Sequence, residues 1–162
     1  MTKEYKILTP HTSRLKAQKM NKLNIREVLK DRILVLDGAM GSLIQEYKLS
    51  DADYRGEQFK DFPHEVKGNN DMLSITRPDV IKEIHAKYFE AGADIAETNT
   101  FSGTSIAMAD YHMEDYVYQL NYESAKIARE VRMNLRQKIQ QNLVMLRVQS
   151  DPQIGLYRYH PM

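Results

Sequence analysis

The stretch Ile33-Leu34-Val35-Leu36-Asp37-Gly38-Ala39-Met40-Gly41 decides the fold of this chain, because four apolar residues lead directly into an acid and two glycines. A continuous apolar run of this kind is typical of a strand buried on both faces of a parallel sheet. We therefore expect Asp37 in a loop at the carboxyl end of that strand, which is where α/β folds bind ligands. The local pattern also fits an ordinary strand-to-helix turn with a helix-capping acid.

A second segment repeats this order of strand, acid and polar loop. Residues 93–97 predict a short strand that ends at Glu97, and residues 98–103 predict a polar turn. Between the two strands, Pro78 begins a helix whose apolar residues share one face. That face consists of Val80, Ile81, Ile84, Tyr88 and Phe89. Two strand-helix units of the same build indicate an α/β fold.

Apolar spacing predicts four further helices: near residues 25–29, at 41–47, at 104–111 and from about 116 onward. Residues 49–71 show no sustained period and contain several turn motifs. We expect them to form a long functional loop, because long irregular segments within a compact domain tend to carry function.

The composition is that of a globular protein, since 42% of the 162 residues are hydrophobic and 28% are charged. A net charge of +1 argues against nucleic acid as a partner, and no apolar run is long enough to span a bilayer. With no cysteine and no signal-peptide core, we expect a cytoplasmic location. The histidines lack metal-ligand spacing, so we expect each to be solvated or locally hydrogen-bonded. They are His11, His64, His85, His112 and His160.

The sequence predicts three parts. Residues 1–20 contain five basic residues and one acid, and we expect a disordered arm there. Met20 offers an alternative translation start, which would make that arm an upstream extension. Residues 21–132 carry the patterns described above, whereas residues 133–162 lose them and include several glutamines.

Six blocks within residues 32–130 closely resemble the amino-terminal, homocysteine-binding barrel of the cobalamin-dependent methionine synthases. The blocks are Arg32-Ile33-Leu34-Val35-Leu36-Asp37-Gly38-Ala39-Met40-Gly41, Asp53-Tyr54-Arg55-Gly56-Glu57, Lys67-Gly68-Asn69-Asn70-Asp71, Phe89-Glu90-Ala91-Gly92-Ala93-Asp94-Ile95, Glu97-Thr98-Asn99-Thr100-Phe101 and Met108-Ala109-Asp110-Tyr111. Their shared order and spacing make the resemblance specific. Betaine-dependent and other zinc homocysteine methyltransferases share the barrel, but these blocks favour the cobalamin-dependent family.

The resemblance implies an α/β fold that is an incomplete (β/α)8 TIM barrel, with only the first two to three βα units and a site at the carboxyl ends of the strands. Carried over to this sequence, Asp37 accepts from the ammonium group of homocysteine, and the backbone N–H groups around Gly38 and Ala39 meet its carboxylate. Glu97 is expected as a second polar group in the same pocket. For Asn99, hydrogen bonding within the loop is favoured over ligand contact.

The same resemblance implies a reaction for which this chain lacks the metal site. The family holds zinc with three cysteines from later strands and transfers a methyl group from methylcobalamin to zinc-bound homocysteine, giving methionine. This chain has no cysteine. We therefore expect a methionine synthase fragment that has no catalytic or metal residue, is inactive alone and binds neither zinc nor cobalamin. Homocysteine is expected to bind it weakly or not at all.

A shifted reading frame would explain residues 133–162. In the family, the long helix is followed by a sequence close to Val-Ala-Gly-Ala-Ile-Gly-Pro-Thr-Asn-Arg-Thr. Permitted codons for residues 143–162 encode that motif when they are read from the third base. We interpret the tail as an out-of-frame translation that begins between about Met133 and Leu143. Sequencing the coding DNA tests this interpretation.

Two other functions stay open. In one, a split gene supplies the missing barrel half as a second chain, and this chain is its assembly partner. In the other, the chain is a non-catalytic binding fragment that acts through its basic arm and tail. An open barrel is expected to expose apolar stripes such as Val80, Ile84 and Tyr88, which favours low stability and aggregation or chaperone capture.

Overall fold

The computed structural model of this chain describes residues 25–139 and 145–147. The chain divides into two units, the first ending at Ile33 and the second beginning at Leu34. In the first unit, helix α1 spans Ile25–Asp31 and confirms the helix predicted there. Lys30 Nζ lies 2.8 Å from a Glu27 carboxylate oxygen, and no residue of α1 is buried. All further elements belong to the second unit.

Helices dominate the second unit. They are α2 (Met40–Glu46), α3 (Asp51–Arg55), α4 (Leu73–Thr76), α5 (Pro78–Glu90), α6 (Ser105–Met108) and α7 (Val117–Ile139). Single 3₁₀ turns cover Asn70–Met72, Ala109–Tyr111 and Glu114–Tyr116. The predicted helices at 41–47, from 78, at 104–111 and from about 116 are therefore confirmed to within one or two residues.

Helix α5 begins where its sequence predicts. Pro78 lies at its first position, and Asp79 lies in the first turn, where a negative charge interacts favourably with the helix dipole. The apolar face predicted for this helix packs against α4 and α7. Val80, Ile81 and Ile84 are at most 1% exposed. This packing forms the centre of the main hydrophobic core.

The expectation that α5 exposes its apolar stripe is wrong. Val80 and Ile84 are buried, and Tyr88 is half-buried against the same cluster. Leu73 from α4 and Leu120 from α7 belong to that cluster and are completely buried. The stripe is covered because neighbouring helices of this same chain pack on it, so it does not depend on further strands.

Residues 49–71 are more ordered than their sequence predicts, because α3 lies within them. Ser50 caps this helix with a reciprocal pair of hydrogen bonds. Asp53 donates its backbone N–H to Ser50 Oγ at 3.3 Å, and Ser50 donates its backbone N–H to Asp53 Oδ2 at 2.8 Å. A helix of five residues is too short to show an apolar period, which is why the pattern missed it. Phe59 and Val66, further along the segment, are buried in the core.

Three parallel segments lie side by side in the described part of the sheet. β1 (Ile95–Glu97) pairs in parallel with β2 (Met145–Arg147). Ile95 also forms a single parallel bridge with Leu36. Asp37 donates its backbone N–H to the Ile95 carbonyl oxygen at 2.9 Å. We call residues 33–36, which end at this bridge, the first segment. Because the first segment and β1 run in the same direction, Asp37 and Glu97 leave the sheet at the same edge.

The first segment is not the buried strand that its apolar run predicts. Ile33 is 84% exposed, Val35 is 53% exposed and Leu36 is 44% exposed. A strand of a parallel sheet is buried only when neighbouring strands and helices cover it. Within the described part of the chain, β1 is the strand that pairs with this segment. Asp94 supports it as well, since its Oδ2 accepts the backbone N–H of Val35 at 3.0 Å.

The described residues therefore form a mostly helical unit with short parallel strands joined through helices. The strand predicted at 93–97 is confirmed as β1. Among residues 25–139 and 145–147, two three-residue strands and one bridge are present. They agree with the parallel order expected of an α/β fold, whereas the barrel expected from the resemblance stays a prediction.

The two predicted domain boundaries stay predictions. The boundary at residue 20 lies outside the described residues. The boundary at residue 132 falls inside α7, and most of residues 133–162 lies outside the described part. The out-of-frame interpretation of the tail stays a prediction. Among the helices of residues 25–139, none combines the length and apolar character that crossing a membrane requires.

One histidine contradicts the expectation of solvated or hydrogen-bonded rings. His85 on α5 is completely buried, and neither ring nitrogen has a hydrogen-bond partner in the described structure. Burial lowers the pKa of His85 to about 4, so its ring is neutral at pH 7. His64 and His112 are exposed, with ring centroids 3.9 Å apart. His11 and His160 lie outside the described residues.

Candidate functional site

A cleft of about 520 Å³ lies where the first segment and β1 end. Three short stretches, at residues 37–41, 68–71 and 97–102, form its walls together with Tyr111. The first and third stretches follow parallel strand segments directly, and the second lies just before α4. The cleft is therefore lined by loops from distant parts of the sequence, which the sheet and α4 hold close together.

The structure brings Asp37 and Glu97 together in this cleft, as the sequence predicts. Glu97 donates its backbone N–H to both carboxylate oxygens of Asp37, at 3.1 Å to Oδ1 and 3.2 Å to Oδ2. Both side chains are half-buried. Asp37 thus ties its own loop to the end of β1 while its carboxylate still borders the cleft.

The pKa of Asp37 is raised to about 6. Burial of the carboxylate is the largest cause, and the nearby Glu97 carboxylate raises it further. The hydrogen bond from the Glu97 backbone opposes both effects. Asp37 is therefore charged at pH 7, but its charge is poorly compensated and would be stabilised by a bound cation.

Gly38 and Ala39 also line the cleft, beside Asp37. Ala39 directly precedes α2, and its side chain does not cap that helix. A Cβ atom at Gly38 would lie 3.2 Å from Tyr88 Oη, so the glycine lets its backbone approach the tyrosine. The four predicted site residues Asp37, Gly38, Ala39 and Glu97 thus share one cleft, while their contacts with a ligand stay a prediction.

Asp71 is a cleft residue that sequence reasoning missed. It is 5% exposed and lies in the 3₁₀ turn Asn70–Met72. Its Oδ2 accepts the backbone N–H of Ser102 at 2.7 Å, and the backbone of Phe101 also hydrogen-bonds to the carboxylate. Burial raises the pKa of Asp71 to about 6 against the effect of these bonds. Its place at the end of one matching block was a signal, but no strand precedes it to suggest a site.

The structural hydrogen bonding favoured for Asn99 is present, although its partners lie outside its own loop and Asn99 also lines the cleft. Its side chain is 4% exposed, and Nδ2 donates to the Asn70 carbonyl oxygen at 2.9 Å and to Ser74 Oγ at 3.1 Å. Ser124 Oγ on α7 lies 2.7 Å from Ser74 Oγ and 3.1 Å from the Asn99 carbonyl oxygen. This buried network joins the loop after β1 to α4 and α7, which fixes the wall of the cleft.

The electrostatic character of the cleft is acidic. Asp37, Asp71 and Glu97 line it, and none of its lining residues in the described chain is a lysine, arginine or histidine. Such a cleft favours a positively charged group, above all one that can donate hydrogen bonds to carboxylates. Within residues 25–139 and 145–147, no group of three histidine, aspartate or glutamate side chains is arranged to hold a metal ion. Recognition of an organic cation is the chemistry that these residues support best.

Comparison with known proteins agrees with this architecture. A family model described as homocysteine S-methyltransferase matches residues 34–150. The fold is similar to that of the homocysteine methyltransferase MmuM from Escherichia coli in its metallated form, with a TM-score of 0.56 and 21% identity. That match covers 76% of this chain and 39% of MmuM. The oxidized form of MmuM matches with a TM-score of 0.55 and 24% identity, over 76% of this chain and 38% of that protein.

Proposed function

Because this chain belongs to the homocysteine S-methyltransferase family, we propose that it is the amino-terminal part of the homocysteine-binding domain of a cobalamin-dependent methionine synthase. The observation that carries the proposal is the acidic cleft at the ends of two parallel segments within the matched residues. The sequence blocks quoted above favour the cobalamin-dependent members over other members of the family. The chain spans 39% of the length of the MmuM structure that it matches, so the reaction of a whole enzyme is part of the proposal.

The fold that goes with this proposal is an incomplete (β/α)8 barrel. Three neighbouring parallel segments, joined through helices, support it. Barrels of this type carry their sites at the carboxyl ends of the strands, which is where the cleft lies. The segments that end at Leu36 and Glu97, each followed by a helix, support the two to three βα units expected from the sequence.

In the proposed complex, the ammonium group of homocysteine donates hydrogen bonds to the carboxylates of Asp37 and Glu97. The carboxylate of the amino acid meets the backbone N–H groups around Gly38 and Ala39. A bound ammonium group would offset the cost of holding Asp37 charged in a half-buried place. The arrangement selects an amino acid by its charged ends and leaves its side chain free for the reaction.

The zinc and cobalamin of the family are assigned to parts of the enzyme other than this chain. Three cysteines hold the zinc in the family, and this sequence has none. The donor set present here does not fit that metal, so no step through it is proposed. We propose that the chain alone is inactive, and a cytoplasmic location likewise stays a prediction.

Binding of L-homocysteine to the purified 162-residue chain tests the proposal by isothermal titration calorimetry at pH 7.5. We expect Asp37→Asn to weaken binding roughly tenfold or more, since a charge-assisted hydrogen bond is lost. Asp61→Asn is the matched control, because Asp61 is exposed and does not line the cleft. The desamino analogue 4-mercaptobutyrate should bind the parent chain more weakly and should not discriminate between the parent chain and Asp37→Asn. Equal binding of both compounds to the parent chain would contradict recognition of the ammonium group.

A second candidate function is assembly with a separate chain that supplies the remaining barrel strands. The exposed apolar segment at Val35 and Leu36 favours it, because among the described residues β1 is the strand that pairs with this segment, and a strand from another chain could pair on its other side. Mixing this chain with the remaining strands of a full-length methionine synthase, expressed as a second polypeptide, tests the idea. A one-to-one complex in light scattering after gel filtration supports it, and two separate peaks at micromolar concentrations exclude it.

A further inference from the structure

Two carboxylates hold opposite ends of one loop in the cleft. Asp37 accepts the backbone N–H of Glu97, where the loop leaves β1. Asp71 accepts the backbone N–H of Ser102 at 2.7 Å and a second hydrogen bond from Phe101. The two acids lie in different segments, and Asp71 is separated from Ser102 by 31 positions in the sequence. The loop at residues 97–102 is therefore held from outside at both of its ends.

Other ties hold the loop at different points. The Asn99 side chain anchors its middle to Asn70 and Ser74. Beyond the loop, Asn121 Nδ2 on α7 donates to the Gly103 carbonyl oxygen at 2.7 Å. Neither tie satisfies the N–H groups of the turn at residues 101–102. The Asp71 carboxylate accepts the hydrogen bonds of both of these N–H groups.

That turn places an aromatic ring at the mouth of the cleft. Phe101 lines the cleft and is 82% exposed, although Thr100 before it is 2% exposed. An exposed phenylalanine gains nothing from burial, so its side chain contributes little to holding the turn. The hydrogen bonds to Asp71 therefore hold the backbone from which the ring projects.

We propose that Asp71 is a positioning residue of the cleft, whose carboxylate fixes the Phe101–Ser102 turn and thereby holds the Phe101 ring over the apolar part of a bound amino acid. The identity of that amino acid rests on the proposed function, whereas the fixing of the turn does not. Asp71 acts through the backbone of the turn and leaves recognition of the ammonium group to Asp37 and Glu97.

The ionisation of Asp71 gives the proposal a direct signature. Burial raises the pKa of Asp71 to about 6, so it accepts strongly above that pH and loses acceptor strength when protonated below it. The other titratable side chains lining the cleft are Asp37, Glu97 and Tyr111. Ser74 of α4 and Ser124 of α7, which the buried network places beside this region, carry no charge.

Amide NMR of the full ¹⁵N-labelled chain tests the positioning step between pH 4.5 and 8. We expect the amide protons of Phe101 and Ser102 to move downfield as the pH rises through about 6, because a charged acceptor replaces a neutral one. This movement should disappear in Asp71→Asn. The matched variant Asp37→Asn should abolish the corresponding movement at Glu97 and leave that of Ser102 in place. The parent titration needs no variant to fold, and a parent chain whose Ser102 amide ignores pH in this range overturns the inference.

Binding of L-homocysteine provides the second arm. Asp71→Asn should weaken binding roughly fivefold, Phe101→Ala by a similar factor, and Asp61→Asn not at all. If the parent chain binds homocysteine and Asp71→Asn binds it equally well, the positioning role is wrong and the proposed function stands. If the parent chain does not bind homocysteine, the proposed complex with this chain alone fails, in line with the weak or absent binding expected of an open barrel, and the amide titration alone decides the role of Asp71.

Discussion

Apolar side chains are buried in the helical layer of this chain but exposed on its sheet. On α5 and α7, Ile84 and Leu120 are completely buried. On the first parallel segment, Val35 is 53% exposed and Leu36 is 44% exposed. The helices cover one another, whereas the sheet edge has β1 as its neighbour within the described residues. Apolar composition alone therefore does not reveal which part of this chain is stable.

This difference indicates where the folding free energy comes from. The main core consists of residues from α2 to α7 and the turns between them. A smaller cluster beneath the sheet joins Ala96 of β1 to Phe89 of α5 and Val131 of α7. The cleft lies on the sheet side, on loops that the helical layer supports. A stable layer can thus present a site whose strands are themselves exposed.

The largest expected effect separates the two regions directly. Ile84→Ala should lower the free energy of unfolding by about 2 to 5 kcal/mol, because it leaves a cavity in a fully packed core. Val35→Ala removes an aliphatic side chain that is half in solvent, and should cost less than about 0.5 kcal/mol. Urea denaturation followed by circular dichroism measures both. Equal losses for the two variants would show that the sheet contributes as much as the helices.

A smaller effect is expected in the polar network that joins the two regions. Asn99→Ala removes the amide that links Asn70 and Ser74, and should cost about 1 to 3 kcal/mol, since buried partners lose their hydrogen bonds. Gln58→Ala is the matched control, because Gln58 forms an exposed amide pair with Gln119. That control should change stability by less than about 0.5 kcal/mol in the same urea titration. A neutral Asn99→Ala variant would mean that the loop is held without this network.

The dependence of stability on pH should differ between the buried acid Asp71 and the more exposed acid Asp53. The pKa of Asp71 is about 6 in the folded chain and 3.8 in its ordinary state, so the folded chain binds the proton more tightly between these values. Its contribution to stability is present below about pH 4 and is lost as the pH rises to about 6. The free energy of unfolding of the parent chain, minus that of Asp71→Asn, should therefore fall by roughly 1 to 3 kcal/mol between pH 4 and 7.

The control for that series is Asp53→Asn. Hydrogen bonds from Ser50, and then the contact with Arg77, hold the pKa of Asp53 below its ordinary value. Its contribution is present above pH 4 and is lost only at lower pH, so the same difference should be flat between pH 4 and 7. Chemical denaturation at several pH values provides both curves. If the difference for Asp71 rises with pH instead, burial does not disfavour the charged form of Asp71.

The smallest expected effect lies at the contact between the cleft and α5. Gly38→Ala places a Cβ atom 3.2 Å from Tyr88 Oη, at the end of a side chain that can shift. We expect a loss of about 0.5 to 1 kcal/mol, which Tyr88→Phe should relieve by removing the hydroxyl group. The double variant in urea denaturation checks this coupling. If the losses of Gly38→Ala and Tyr88→Phe add in the double variant, the contact with the Tyr88 hydroxyl group is not what destabilises Gly38→Ala.

The sequence predicts the helices of this fold better than its strands. The stripe from Val80 to Phe89 identifies α5 because apolar residues repeat with the helical period over several turns. The five-residue helix α3 has too few residues for such a repeat, although its Ser50 and Asp53 form a local capping box. The first segment shows the reverse failure, since its apolar run predicts a burial that the described neighbours do not provide.

Some residues of the candidate site were likewise predictable from the sequence, and others were not. Asp37 and Glu97 were predictable, because an acid that follows a buried-type strand stands at the ligand-binding edge of a parallel sheet. Asp71 was not, since its partner Ser102 lies in a different loop and no local pattern links them. His85 was not either, because its burial depends on which helices pack against α5.

The sequence by itself determined which residues are apolar on each helix, where the acids and glycines follow the strands, and to which family the chain belongs. Only the tertiary structure decided which apolar faces are covered and which N–H groups each carboxylate reaches. The physical reason is distance along the chain. Periodicity and turn chemistry act between near neighbours, whereas burial and the raised pKa values of Asp37 and Asp71 arise from segments that meet only after folding.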